Sequence, residues 1–152
     1  MRGEFVRGDG LVIPNNITSF GAQYLLGLIF DSTQNNALYI GLGNAVYDPG
    51  LTTPAVGEPD AVNGYVRVLM PRDTGHWTVA GQVNGEWYAE SIPVIFAATG
   101  SGFNKPVSRL FLTEGQASTD VIALSGTLPA PLTVTPDLSL AQRTFKYRFY
   151  LR

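Results

Sequence analysis

His76 is the only histidine in the 152-residue chain, so any Ser–His–acid triad would have to use it. It stands in Gly75-His76-Trp77 at a turn-to-strand edge, and no serine has the strand-to-helix context that exposes a nucleophile. There is no cysteine. Thiol catalysis, disulfide frameworks and Cys-ligated zinc are therefore excluded, and one histidine suits a zinc site poorly. Glu86 and Glu90 share a strand face, but four residues of strand set their Cα atoms about 13 Å apart. Glycosidase carboxylates stand about 5–5.5 or 6.5–9.5 Å apart. Asp48, Glu58 and Asp60 lack the spacing of a calcium loop. Gly41-Leu42-Gly43 and Gly100-Ser101-Gly102 follow strands, yet no helix opens after either to hold a phosphate. The expectation is a protein that is not an enzyme, with no catalytic residue, no cofactor and no metal.

Two residue groups point to binding instead. Trp77, Trp87 and Tyr88 flank a hairpin signalled by Asn84-Gly85 and form the candidate host or ligand surface. The segment Arg143–Arg152, RTFKYRFYLR, holds four of the ten basic residues. In it Phe145, Tyr147, Phe149 and Leu151 alternate with Lys146, Arg148, Tyr150 and Arg152. Period two predicts a strand with one buried and one exposed, basic face. That face is either solvated edge protection or a contact for an acidic partner surface. The candidate partner interface comprises Arg143, Lys146, Arg148 and Arg152, with Arg2, Phe5, Arg7, Leu11 and Val12 from the N-terminus.

These residues need elements to hold them. Residues 1–13, with three glycines and four charges, read as an N-terminal arm. It is either a strand docked on its own sheet or an arm laid on a neighbouring subunit. Residues 14–152 read as a single domain. Its first element is the apolar stretch Ile17–Phe30, where Phe20, Tyr24 and Leu28 fall at spacing four and predict a buried helix. Strands are expected at Ala37–Gly43, Tyr65–Met70, His76–Ala80, Glu86–Glu90, Ile92–Ala98, Val107–Thr113 and Asp120–Leu124, besides the last one. Turn signals every 8–12 residues predict a mainly β fold: an antiparallel β-sandwich or jelly-roll-like body with one N-terminal apolar helix over about residues 17–30.

Composition narrows the partner. The chain is 45% hydrophobic and only 14% charged, against about 25% charged in an average globular protein. Either Ser, Thr, Asn and Gln solvate an ordinary polar β-protein surface, or part of the surface is covered in an assembly. The net charge of −2 argues against a nucleic-acid partner, which needs clustered Lys and Arg. A 14-residue helix reaches about 21 Å, short of the ~30 Å hydrocarbon core of a membrane, so no membrane partner is expected.

The order of elements resembles small structural proteins of tailed-bacteriophage virions, of the decoration or tail-fibre-like kind. The resemblance runs over about residues 11–151. It lies in Leu38-Tyr39-Ile40-Gly41-Leu42, a Pro/Thr-rich loop, and Gly64-Tyr65-Val66-Arg67-Val68. Trp77, Phe96-Ala97-Ala98-Thr99-Gly100, Leu110-Phe111-Leu112-Thr113 and Val121-Ile122-Ala123-Leu124 complete it. It implies a virion location after synthesis in the host cytoplasm. The expected function is capsid decoration or cement, binding the major capsid protein. A tail or baseplate adaptor or receptor-binding protein is the alternative, and a carbohydrate-binding module the third reading. A homo-oligomer is expected, with a trimer favoured.

Overall fold

The computed structural model describes residues 2–17, 37–44, 57–73, 75–83, 86–117 and 122–151. They form ten strands: β1 Arg2–Arg7, β2 Val12–Ile17, β3 Ala37–Gly43, β4 Val68–Pro71, β5 Trp77–Val83, β6 Glu86–Ser91, β7 Val94–Ile95, β8 Val107–Thr113, β9 Ile122–Leu132 and β10 Thr144–Leu151. Every pairing is antiparallel. The hydrogen-bonded path runs β4-β3-β8-β9-β2-β1-β10-β6-β5, with β7 alongside the start of β10.

Strand β2 folds this path into two sheets. Val12, Ile13 and Pro14 pair with β1, while Asn15, Asn16 and Ile17 pair with β9. Pro14 lacks an N–H and sits at the change of partner. Gly126 of β9 lies opposite Asn15; a Cβ there would meet the Phe5 ring at 3.0 Å and the Pro14 carbonyl at 3.1 Å. The crossing therefore depends on a glycine.

One hydrophobic cluster joins the inner faces. Phe5, Ile13, Phe145 and Tyr147 come from one sheet, and Ile40, Leu42, Met70, Leu110 and Leu112 from the other. Phe5 meets Tyr147 with ring centroids 5.1 Å apart, Phe145 meets Phe96 at 6.0 Å, and Phe96 meets Tyr65 at 6.4 Å. Such aromatic pairs contribute about 0.5–1.5 kcal/mol each beyond their buried area.

The mainly β, antiparallel expectation is met, with departures. Among the described residues there is no α-helix. The helix expected over residues 17–30 does not start at Ile17, which closes β2 by pairing with Leu124; cross-strand pairing outweighs local periodicity there. Residues 18–30 lie outside the described residues. Residues 2–7 are an inner strand between β2 and β10, the self-docked reading of the N-terminal arm. The strand expected at Tyr65 begins at Val68. Strand β9 runs to Leu132, with Pro129 and Pro131 in the irregular stretch between the Thr127 and Leu132 pairings. Proline is tolerated where ladder hydrogen bonds are interrupted.

Candidate interaction surface

The antiparallel register gathers the basic residues of β10 with acids from two other strands. One row crosses five strands: Pro14, Glu4, Arg148, Glu90 and Thr78. Arg148 donates from Nε to Glu90 at 2.5 Å and lies 3.5 Å from Glu4 through Nη1. Lys146 reaches the other Glu90 oxygen at 2.6 Å. The Tyr150 hydroxyl donates to Glu4 at 2.5 Å. Two cations thus meet two carboxylates on one sheet face. Desolvation works to raise the pKa of Glu90, but the hydrogen bonds from Lys146 and Arg148 and their charge outweigh it and hold the carboxyl below its usual value. Burial and the bond to Glu4 push Tyr150 up.

Aliphatic side chains border this ladder. Val12 pairs with Val6, and Val6 with Lys146. Thr144, two residues before Lys146, pairs with Ile95. Val12, Val6, Lys146, Thr144 and Ile95 therefore share the outer face, with Val12 and Ile95 each 47% exposed. Here the structure brings together three of the sequence candidates, Val12, Lys146 and Arg148.

The other candidates lie elsewhere. Phe5 is wholly buried in the core, so it is a packing residue and is withdrawn from the interface. Alternation along β1 turns it inward beside Tyr147. Arg7 spans the β1–β2 turn, holding Asp9 through Nε at 2.9 Å and Nη2 at 2.8 Å. Leu11 packs against the core. Arg143 precedes β10 in a 3-10 turn, and its carbonyl accepts the Phe96 N–H at 3.0 Å. Arg2 is placed by its backbone pairing with Tyr150; its side chain and Arg152 lie outside the described residues. Trp77 is half-buried against Tyr147 at 6.1 Å, and its indole N–H donates to the Pro71 carbonyl at 2.9 Å. Its ring is thereby committed to packing. Trp87 pairs with Leu151 and Tyr88 with Tyr150, so the two stand in alternate rows of β6; their side chains lie outside the described residues.

A second polar cluster borders the β3–β8 sheet. Arg67 grips Glu58 side-on, Nε to Oε1 at 2.8 Å and Nη2 to Oε2 at 2.9 Å, and donates from Nη1 to the carbonyls of Gly115 and Ala117. The Tyr65 hydroxyl lies 2.6 Å from Glu58, and burial with the neighbouring carboxylate raises its pKa strongly. Glu58, Pro59, Ala61, Tyr65, Val66, Arg67 and Gln116 line an open pocket of about 280 Å³. Next to it Arg109 is 1% exposed, and its Nε and Nη2 have no hydrogen-bond partner among the described residues. Burial lowers its pKa. Glu58 and Asp60, two of the acids that lack calcium-loop spacing, are engaged by Arg67 and by Asn104 with Lys105. Asp48 lies outside the described residues. Among those residues no group of three acidic or histidine side chains could hold a metal ion.

No family model matches this chain, and no curated protein matches it in sequence.

Sequence reasoning missed Glu4 and Tyr150 as partners, because they stand at opposite ends of the chain. It considered Glu90 only as half of a carboxylate pair. The signal available was the alternation of Lys146 and Arg148, which needs acids on the adjacent strands once the face is partly buried.

Proposed function

We propose that this chain is a non-enzymatic structural protein of a tailed-phage virion, a decoration or cement protein that binds neighbouring capsid subunits. Its body is proposed to be a β-sandwich, jelly-roll-like in outline. The observation that carries this reading is the contrast between its charged and apolar side chains. Lys146, Arg148, Glu4 and Glu90 satisfy one another within the sheet, while aliphatic residues stand outward on strand faces and edges. Val66, just before β4, is 63% exposed and Leu69 of β4 44%, and on the other sheet Val12 and Ile95 are each 47% exposed. A charge-poor surface with outward aliphatics is suited to burial against protein. Its action is passive: it adds buried area across capsid joints. The bridging element would be the outer face of strands β2, β1, β10 and β7, which includes Val12, and not a free N-terminal arm, since residues 2–7 pair within that sheet.

The test is addition of purified protein to expanded, undecorated capsids. Saturable binding is expected, weakened at least about tenfold by Val12→Lys with Ile95→Lys, a loss of about 1.4 kcal/mol or more. Absence of binding to capsids, with adsorption to host cells instead, would favour the tail reading. The packing of Trp77 speaks against the carbohydrate-binding reading.

A further inference from the structure

Among the described residues the strand path ends at two edges, β4 and β5. An unpaired edge offers a row of N–H and C=O groups to any extended chain, and proteins blunt such edges with short strands, prolines, charges or covering groups. The β4 edge carries these devices. It has four residues, ends in Pro71 and is followed by exposed Arg72. Where β4 stops short of Leu42, the Tyr65 hydroxyl takes the Leu42 N–H at 3.0 Å. Strand β5 differs. Its seven residues, WTVAGQV, include no proline and no ionisable side chain. One device is present, a bulge between Ala80 and Gln82, which leaves Trp77–Ala80 straight.

The hydrogen bonds fix which groups face outward. The Ile92 N–H donates to the His76 carbonyl at 2.8 Å across the β5–β6 ladder. Backbone groups alternate sides along an antiparallel strand. Thr78 and Ala80 therefore face β6, while Trp77 and Val79 face away. The Trp77 N–H is taken by the Asp73 carbonyl at 3.0 Å. Left on the outer edge are the Trp77 carbonyl and both backbone groups of Val79, with no strand beyond them among the described residues.

We propose that this edge is a contact between two copies of this chain, paired antiparallel about a twofold axis at Val79. Each Val79 N–H would donate to the carbonyl of the partner's Val79. An antiparallel ladder contains such mutually bonded pairs, and a twofold axis satisfies both halves at once. The charge-free sequence suits self-pairing, since a charge at residues 78–80 would stand opposite or diagonal to its own copy across the axis. The partner is a second copy because the edge is complementary to itself and carries no charge to select another chain. Such a contact yields even-numbered assemblies, in place of the trimer expected from sequence. It is short and therefore weak alone, each hydrogen bond contributing net about 1 kcal/mol; many copies on one scaffold would reinforce it. The pairing stands independently of the virion reading, and only its use in a particle rests on that reading.

Amide hydrogen exchange of the full chain at on the order of 10 µM and 1 mM, with sedimentation on the same samples, tests this. Val79 exchange is expected to slow at least about tenfold at the higher concentration, in step with a monomer–dimer equilibrium. Val79→Pro removes only an outward N–H and is expected to remain monomeric. Thr78→Lys alters an exposed side chain that stands opposite Glu90, and circular dichroism checks that the fold is kept; it brings like charges together about 7–8 Å apart across the axis. It should weaken the dimer at least about tenfold, and mixing it with Thr78→Glu should restore pairing. Val79 exchange that ignores concentration would overturn the proposal. So would a dimer unaffected by Thr78→Lys, or a monomer that uses β5 only when bound to a capsid. The first two results leave capsid binding untouched as a separate question.

Discussion

Tyr65 and Leu42 meet through a hydroxyl that stands where a neighbouring strand would. The Tyr65 oxygen accepts the Leu42 N–H at 3.0 Å and lies 3.2 Å from the Leu42 carbonyl and 2.6 Å from Glu58. One hydroxyl proton serves one strong acceptor, and the charged carboxylate is the stronger. Tyr65 thus seals β3 at the point where β4 has ended and links it to the Glu58–Arg67 pair.

Tyr65→Phe removes that seal while keeping the ring against Phe96 and Phe103. The buried Leu42 N–H loses its acceptor, at a cost of about 1–3 kcal/mol. Denaturant unfolding should show that loss, with Leu42 amide exchange accelerated ahead of the inner strands. Unchanged stability would mean that water replaces the hydroxyl.

The two buried arginines should respond in opposite ways. Arg67→Met leaves the Glu58 carboxylate without its side-on partner and should cost about 3–5 kcal/mol. Arg109→Met replaces a guanidinium whose Nε and Nη2 have no hydrogen-bond partner among the described residues with an apolar chain. Its desolvation is offset only in part by the Glu58 charge and by the Phe111 ring 5.4 Å away, so its replacement is expected to be near neutral or stabilising. Thermal or denaturant unfolding of the two variants checks the contrast. A large loss in Arg109→Met would show that this side chain has an anionic partner.

Gly41 lies under the Phe111 ring, where an added Cβ would come within 2.4 Å of two ring carbons. Gly41→Ala is expected to destabilise by about 1–3 kcal/mol through overpacking. Combination with Phe111→Leu should recover part of the loss, because the coupling runs through that ring.

Glu90 ties β10 to β6 and makes stability acid-sensitive. Its folded pKa is depressed below the ordinary glutamate value of 4.5 by the hydrogen bonds and charges of Lys146 and Arg148, which outweigh desolvation. Between pH 4.5 and that lower value the unfolded chain therefore binds more protons, so stability rises with pH there. The contribution is full above the unfolded pKa and is lost as pH falls through the folded one. Unfolding free energy measured from pH 6 down to pH 3 should fall more steeply for the parent chain than for Glu90→Gln. Parallel curves would mean that Glu90 is not stabilised by Lys146 and Arg148 in solution.

Much of the β character was legible in particular residues. Val107–Thr113 coincides with β8, and the Asn84-Gly85 signal sits between β5 and β6. Alternation along β10 placed Phe145 and Tyr147 inward, while Tyr150 is also buried because Glu4 from β1 binds its hydroxyl. That contact joins residues 146 positions apart, a pairing no local period reports. The Glu4–Arg148–Glu90 row, the twofold-compatible β5 edge and the Glu58–Arg67–Tyr65 cluster all depend on strand order. Local pattern shows which residues alternate; strand order decides which of them meet, and helical periodicity at Ile17 gave way to that same long-range pairing.

The most direct measurement is the location and copy number of this chain in a purified phage particle, by quantitative mass spectrometry against the major capsid protein. A decoration protein is predicted at on the order of hundreds of copies, in fixed proportion to capsid subunits as closed symmetry requires. Only a handful of copies in a tail fraction, or none in the particle, would contradict the account.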